Sequence, residues 1–73
     1  MLLEWRNVKE GKRTTTICLE KYTWQLVDIF TKGNWHEWAA KLLAIRPDGY
    51  TKPYWLRNAV LKECHTHLLE RID

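Results

Sequence analysis

The chain has 73 residues, 45% of them hydrophobic and five of them Trp, and its formal net charge is +3. That is one small domain with more aromatic bulk than so small an interior holds, which points to burial between subunits. No apolar stretch approaches the roughly 20 residues of a membrane span, the Met-Leu-Leu-Glu-Trp-Arg opening lacks the apolar run of a signal peptide, and neither Cys18 nor Cys64 sits in a CxxC pattern. The expectation is a soluble cytoplasmic protein with free thiols, basic enough to meet a nucleic acid and with no membrane partner.

Residues 1–11 read as an N-terminal arm, with Leu2, Leu3, Trp5 and Val8 free to fold back and Gly11 as a flexible entry to a strand. The run Lys12-Arg13-Thr14-Thr15-Thr16-Ile17-Cys18-Leu19-Glu20 is rich in β-branched residues and predicts one short strand. Period-2 alternation puts Thr15, Ile17 and Leu19 on a core face. Lys12, Thr14, Thr16 and Cys18 fall on the other, which is small and polar. No second strand is visible. A lone strand cannot satisfy its own backbone, so pairing with the same strand of a second copy is expected. Such a two-stranded ribbon fits a DNA major groove.

Three helices come after the strand. The first is predicted from Lys21 to Lys32, with Trp24, Val27 and Phe30 on one apolar face, Tyr22, Leu26 and Ile29 on a second, and Gly33 as its stop. Asn34 caps the second helix in a capping-box variant with Glu37, and Trp35, Trp38, Ala39, Leu42 and Leu43 recur at helical spacing. Pro47 ends it, and Asp48-Gly49 is a turn. A C-terminal extension over about 50–72 carries a third helix, capped by Thr51, with Leu56, Val60, Cys64, Leu68 and Ile72 along one seam.

The order strand, helix, tight turn, helix resembles the ribbon-helix-helix family of DNA-binding proteins, the Arc and methionine-repressor type. The residues that carry the likeness are Arg13-Thr-Thr-Thr-Ile-Cys-Leu-Glu20, Trp24 and Val27, Asn34-Trp-His-Glu-Trp38, and Leu56-Arg57-Asn-Ala-Val-Leu61 for a variant with a third helix. The resemblance implies a mainly α fold over residues 12–73: an intertwined homodimer with a two-stranded antiparallel intersubunit ribbon. In that arrangement Lys12, Thr14, Thr16 and Cys18 contact bases. Arg13, Asn34, Trp35 and His36 contact phosphates, the last three at a helix N-terminus. Ile17, Leu19, Trp24, Val27, Phe30, Trp38 and Leu42 form the dimer core. Cys18 stands where the family prefers a hydrogen-bonding residue, and Thr15 where an apolar one is commoner.

The implied function is sequence-specific binding of double-stranded DNA by a homodimeric transcriptional repressor of phage or plasmid type. The alternatives are a protein–protein interaction module on the same scaffold, serving as antitoxin or phage-encoded inhibitor with a protein partner, and a DNA accessory protein in plasmid transfer. Cys64, His65 and His67 suggest zinc, but a structural site needs four ligands and only His36 remains, so no metal and no cofactor is expected. There is no Ser and no nucleophile–base–acid set, so no enzyme activity is expected.

Overall fold

A computed structural model describes residues 2–72, and side chains through residue 66. The element order is β1 (Leu3–Glu10), β2 (Arg13–Glu20), α1 (Lys21–Phe30), α2 (Trp35–Ala44) and α3 (Lys52–Ile72). The two strands form an antiparallel hairpin, with Glu10 opposite Arg13 and Leu3 opposite Glu20.

The expected arm is therefore a strand, and β2 finds its partner within its own chain. Gly11 is the first residue of a two-residue turn rather than a flexible entry. It takes φ +62, and Lys12 after it has an ordinary negative φ. That combination is the glycine-first turn whose twist matches a right-twisted hairpin. β1 escapes a period-2 reading because its polarity is inverted. Its inward residues are Glu4, Arg6, Val8 and Glu10, while Leu3 and Trp5 point outward at 48% and 62% exposure.

The inner face of the hairpin packs on the helices. Val8, Ile17, Leu19, Trp24, Val27, Ala39, Leu43, Leu56 and Val60 make one buried core, with Phe30, Trp38, Leu42, Trp55 and Cys64 packed against it. Ile17, Leu19, Trp24 and Val27, expected between subunits, are thus buried by their own chain. One apolar face of α1 is covered, and on the other Leu26 packs against the core. Tyr22 and Ile29 of that second face stand 69% and 72% exposed. On α3, Leu56 and Val60 are buried and Leu61 is exposed, while Leu68 and Ile72 lie outside the described side chains.

Two helix ends depart from expectation. At Asn34 no side-chain cap forms. Its φ of −88° and ψ of 42° lie outside the extended region a capping residue adopts, and its Nδ2 donates instead to Glu37 Oε2 at 2.9 Å. At the end of α1, Lys32 N–H donates to the Ile29 carbonyl and Gly33 N–H to the Asp28 carbonyl, at 3.2 and 3.0 Å. This is the Schellman pattern, and it requires a left-handed residue one position before Gly33. Lys32 fills that position with φ 55, a conformation that costs an L-residue with a β-carbon about 1 kcal/mol. Lys32→Gly is expected to stabilise the fold by roughly 0.5–1 kcal/mol, read as a higher urea midpoint with unchanged slope. An unchanged or lower midpoint contradicts the strain at Lys32.

Candidate nucleic-acid interface

Alternation and register together define the outer face of the hairpin. Trp5 lies opposite Cys18, Asn7 opposite Thr16 and Lys9 opposite Thr14, with Lys12 in the turn beyond. Asn7, Lys9, Lys12, Thr14 and Thr16 are exposed, and Cys18 is half-buried. Thr16 Oγ1 donates to Asn7 Oδ1 at 2.8 Å, which holds the two side chains together and leaves the Asn7 amide N–H groups pointing to solvent. Asn7 and Lys9 were missed from sequence because they sit in the segment taken for an arm. The signal that finds them is Gly11-Lys12 as a two-residue hairpin loop between alternating segments.

The strand carboxylates are all engaged elsewhere. Glu4 accepts from Arg6 Nε at 2.7 Å. Glu10 accepts from Lys52 Nζ at 2.7 Å, and Glu20 from Arg57 Nη2 at 2.6 Å. Lys52 Nζ also donates to Thr15 Oγ1 at 2.8 Å. The carboxyl of Glu10 is therefore held below its usual range, first by the hydrogen bond from Lys52, and that of Glu20 first by the bond from Arg57. Among the described residues, Lys9, Lys12 and Arg13 make no ion pair. The ribbon thus shows its cations to solvent and turns its anions to the helices.

Arg6 anchors this arrangement. Its Nη1 and Nη2 donate to the two carboxylate oxygens of Asp28, at 2.6 and 2.8 Å. Its guanidinium lies 4.8 Å from the ring centre of Trp24 and 4.9 Å from that of Trp35. Those two rings meet edge to face at 5.7 Å. Asp28 is consequently held below the ordinary carboxylate range, chiefly by the bond from Arg6, and Arg6 is raised in turn, chiefly by Asp28.

The residues expected on phosphates have diverse surroundings. Arg13 is exposed, on the inner-face register opposite Glu10. Trp35 is half-buried beside Arg6 and Trp24. His36 is half-buried, and its Nε2 accepts from the Lys9 backbone N–H at 3.1 Å. The start of α2 is thus laid along the edge of β1. Asn34 is exposed and turned toward Glu37.

The other edge of β2 is open. Lys21 N–H donates to the Leu2 carbonyl, and ladder bonds recur at every second residue. The pairs Glu4–Leu19, Arg6–Ile17, Val8–Thr15 and Glu10–Arg13 therefore face each other, while the backbone groups of Thr14, Thr16 and Cys18 point away. Among the described residues nothing bonds to them. Among those residues, too, no group of His, Cys, Asp and Glu is arranged to hold a metal ion, and no helix is long and apolar enough to cross a membrane.

No family model, no curated protein and no solved structure matches the chain.

The depressed carboxyls predict an acid limb. A carboxyl whose pKa is lower folded than unfolded stabilises the fold above its unfolded value and loses that contribution as pH falls through the folded one. The unfolded references are 3.8 for Asp28 and 4.5 for Glu10 and Glu20. The urea midpoint is expected to hold near neutrality and to drop once pH falls below those values. Asp28→Asn should cost about 1–2 kcal/mol at pH 7, discounted for its partial exposure, and should flatten the acid limb. An equally steep limb in the variant shows that the Arg6–Asp28 pair does not drive it.

Proposed function

We propose that the protein binds double-stranded DNA sequence-specifically through the outer face of its hairpin, as a homodimeric repressor of ribbon-helix-helix character. The observation that carries this is the exposed ribbon face itself, with Asn7, Lys9, Lys12, Thr14 and Thr16 and no exposed carboxylate beside them. A two-stranded ribbon has the width of a major groove. Thr offers a hydroxyl to base edges and a methyl to thymine, and Asn offers its amide to adenine. Lys9 and Lys12 add salt-dependent attraction to phosphates.

The homodimer departs from the family pattern in one respect. The partner of β2 in the hairpin is β1, so the second copy joins at the open edge of β2. Antiparallel pairing of β2 with its counterpart gives a four-stranded sheet, β1-β2-β2-β1, in which the two central strands form the ribbon of groove width and carry Thr14 and Thr16 of both copies about a two-fold axis, while Asn7 and Lys9 on the outer strands flank it at the groove walls. Thr16→Pro removes an edge N–H without touching the hairpin ladder, since proline is tolerated where the N–H faces outward. Sedimentation should give a dimer for the native chain and a monomer for this variant. A Thr16→Pro dimer rules out the open edge as the joint.

DNA binding is tested by fluorescence anisotropy on duplex from the region upstream of the coding sequence, against a scrambled competitor and across salt. Thr16→Ala should relax base preference with a modest loss of affinity, and Lys12→Ala should lower the salt slope by about one. Retention of full preference and the same slope in both variants removes the ribbon as the reading head.

One observation favours a second reading, a protein partner. Leu3 and Trp5 form an apolar end to the same outer face, and exposed Trp is a common anchor in protein interfaces. A native chain with no duplex affinity, and a Trp5→Ala variant that loses a protein captured by the native chain, would favour that reading.

A further inference from the structure

The tip of the hairpin meets the loop between α2 and α3, and the meeting gathers charge. Glu10 accepts from Lys52 Nζ at 2.7 Å. Arg13 lies directly across the ladder from Glu10, where side chains on one face stand about 5 Å apart at Cβ. Lys12 is in the turn between them. Arg46, in the loop after α2, adds its own pull to the lowered carboxyl of Glu10, behind the larger effect of Lys52. Lys52 and Arg46 thus act on the Glu10 carboxylate from α3 and from the loop, Arg13 stands across the ladder from it, and the one acid in the loop is the exposed Asp48.

Arg46 is incompletely satisfied. Its Nη1 donates to the Tyr50 carbonyl oxygen, while its Nε is buried and has no hydrogen-bond partner among the described residues. Among those residues no carboxylate forms an ion pair with it. A guanidinium that has lost water at one donor without gaining a partner, and that feels the nearby Glu10 carboxylate without pairing to it, has donors left for an anion brought alongside.

We infer that Arg13, Arg46 and Lys52, with Lys12 at the rim, form a binding site for a phosphate group, placed at the end of the ribbon rather than at the start of α2. Guanidinium pairs suit a phosphate because their forked donors match two of its oxygens, and the lysines supply the remaining charge. Lys52 bridges Glu10 and Thr15, so it holds the tip against α3 and carries its ammonium to the site. The start of α2 is less available for this task, since His36 is occupied by the edge of β1 and Trp35 by Arg6. That the phosphate belongs to a DNA backbone flanking the groove rests on the function proposed above. The phosphate chemistry of the site does not.

The test is a heteronuclear NMR titration of the full-length, isotope-labelled protein, first with inorganic phosphate and separately with the duplex, against chloride at equal ionic strength. The buried Arg46 Nε–H is shielded from exchange with water and serves as the reporter. Saturable shifts of that resonance and of the Arg13 and Lys52 amides are expected with phosphate, and again at stoichiometric duplex. Arg46→Gln should abolish the phosphate response of the Arg13 and Lys52 amides, weaken duplex binding about tenfold and lower the salt slope by about one. The native-chain titration needs no variant to fold. Resonances that phosphate leaves unmoved overturn the site, even if the duplex binds. Resonances that move with phosphate but not with a bound duplex overturn the DNA source and leave a site for a free phosphate. A phosphate response in a chain with no duplex affinity upholds the site and overturns the function proposed above.

Discussion

Arg6 is the residue on which the arrangement of strands and helices depends. It points inward from β1, its side chain only 18% exposed, so its charge must be compensated by the protein. Three of its nitrogens donate to carboxylates, two of them to Asp28 on α1. The faces of Trp24 and Trp35 supply the rest, each contact worth up to about 2 kcal/mol where water is excluded. Trp24 in turn donates its indole N–H to the Glu4 carbonyl at 2.9 Å. A single strand residue therefore sets where α1 and α2 lie relative to the sheet. Removing either partner of such a pair is costly because the remaining charge stays half-buried and alone.

The same constraint explains which parts of the fold were legible in the sequence. β2 and the three helices announce themselves by the spacing of their apolar residues, because their cores are apolar: Ile17 and Leu19 on one strand face, Trp24 and Val27 on α1, Ala39 and Leu43 on α2, Leu56 and Val60 on α3. β1 does not, because its inward face holds Glu4, Arg6 and Glu10. Glu4 pairs with Arg6 beside it, but the partners of Arg6 and Glu10 on α1 and α3 lie 22 and 42 residues away along the chain, and periodicity carries no information about contacts at that distance. The local signals that failed did so for related reasons. Asn34 has a capping residue's composition, but its side chain found Glu37. The left-handed position after α1 went to Lys32 although a glycine stands beside it.

The candidate site shows the same division. The outward placement of Thr14 and Thr16 is dictated by alternation alone. Asn7 and Lys9 become part of the face only once β1 is known to pair with β2. The basic character of that face is a further consequence of pairing. A net charge of +3 is modest, but the ion pairs at Glu10–Lys52, Glu20–Arg57 and Glu4–Arg6–Asp28 draw the carboxylates of the sheet inward. The cations that remain, Lys9 and Lys12 on the outer face and Arg13 at the tip of the hairpin, stand exposed. Potential at a surface depends on where charges stand rather than on their sum, so a mildly basic chain can present a strongly basic edge.

A two-stranded hairpin is marginal in water unless one face is packed, and here the helices pack it on one side. What they leave uncovered has a common direction in the chain. The open edge of β2 runs directly into α1, whose uncovered Tyr22 and Ile29 lie seven residues apart on one side of that helix, as the 3.6-residue period requires. Edge backbone groups that bond only to water and apolar side chains in water would both gain from the second copy proposed above, the first by strand pairing and the second by burial at roughly 25 cal/mol per Å². The edge that needs hydrogen bonds and the helix face that needs burial are consecutive in sequence. That continuity is the strongest physical argument for joining two copies at β2, and it holds whatever the outer face of the ribbon binds.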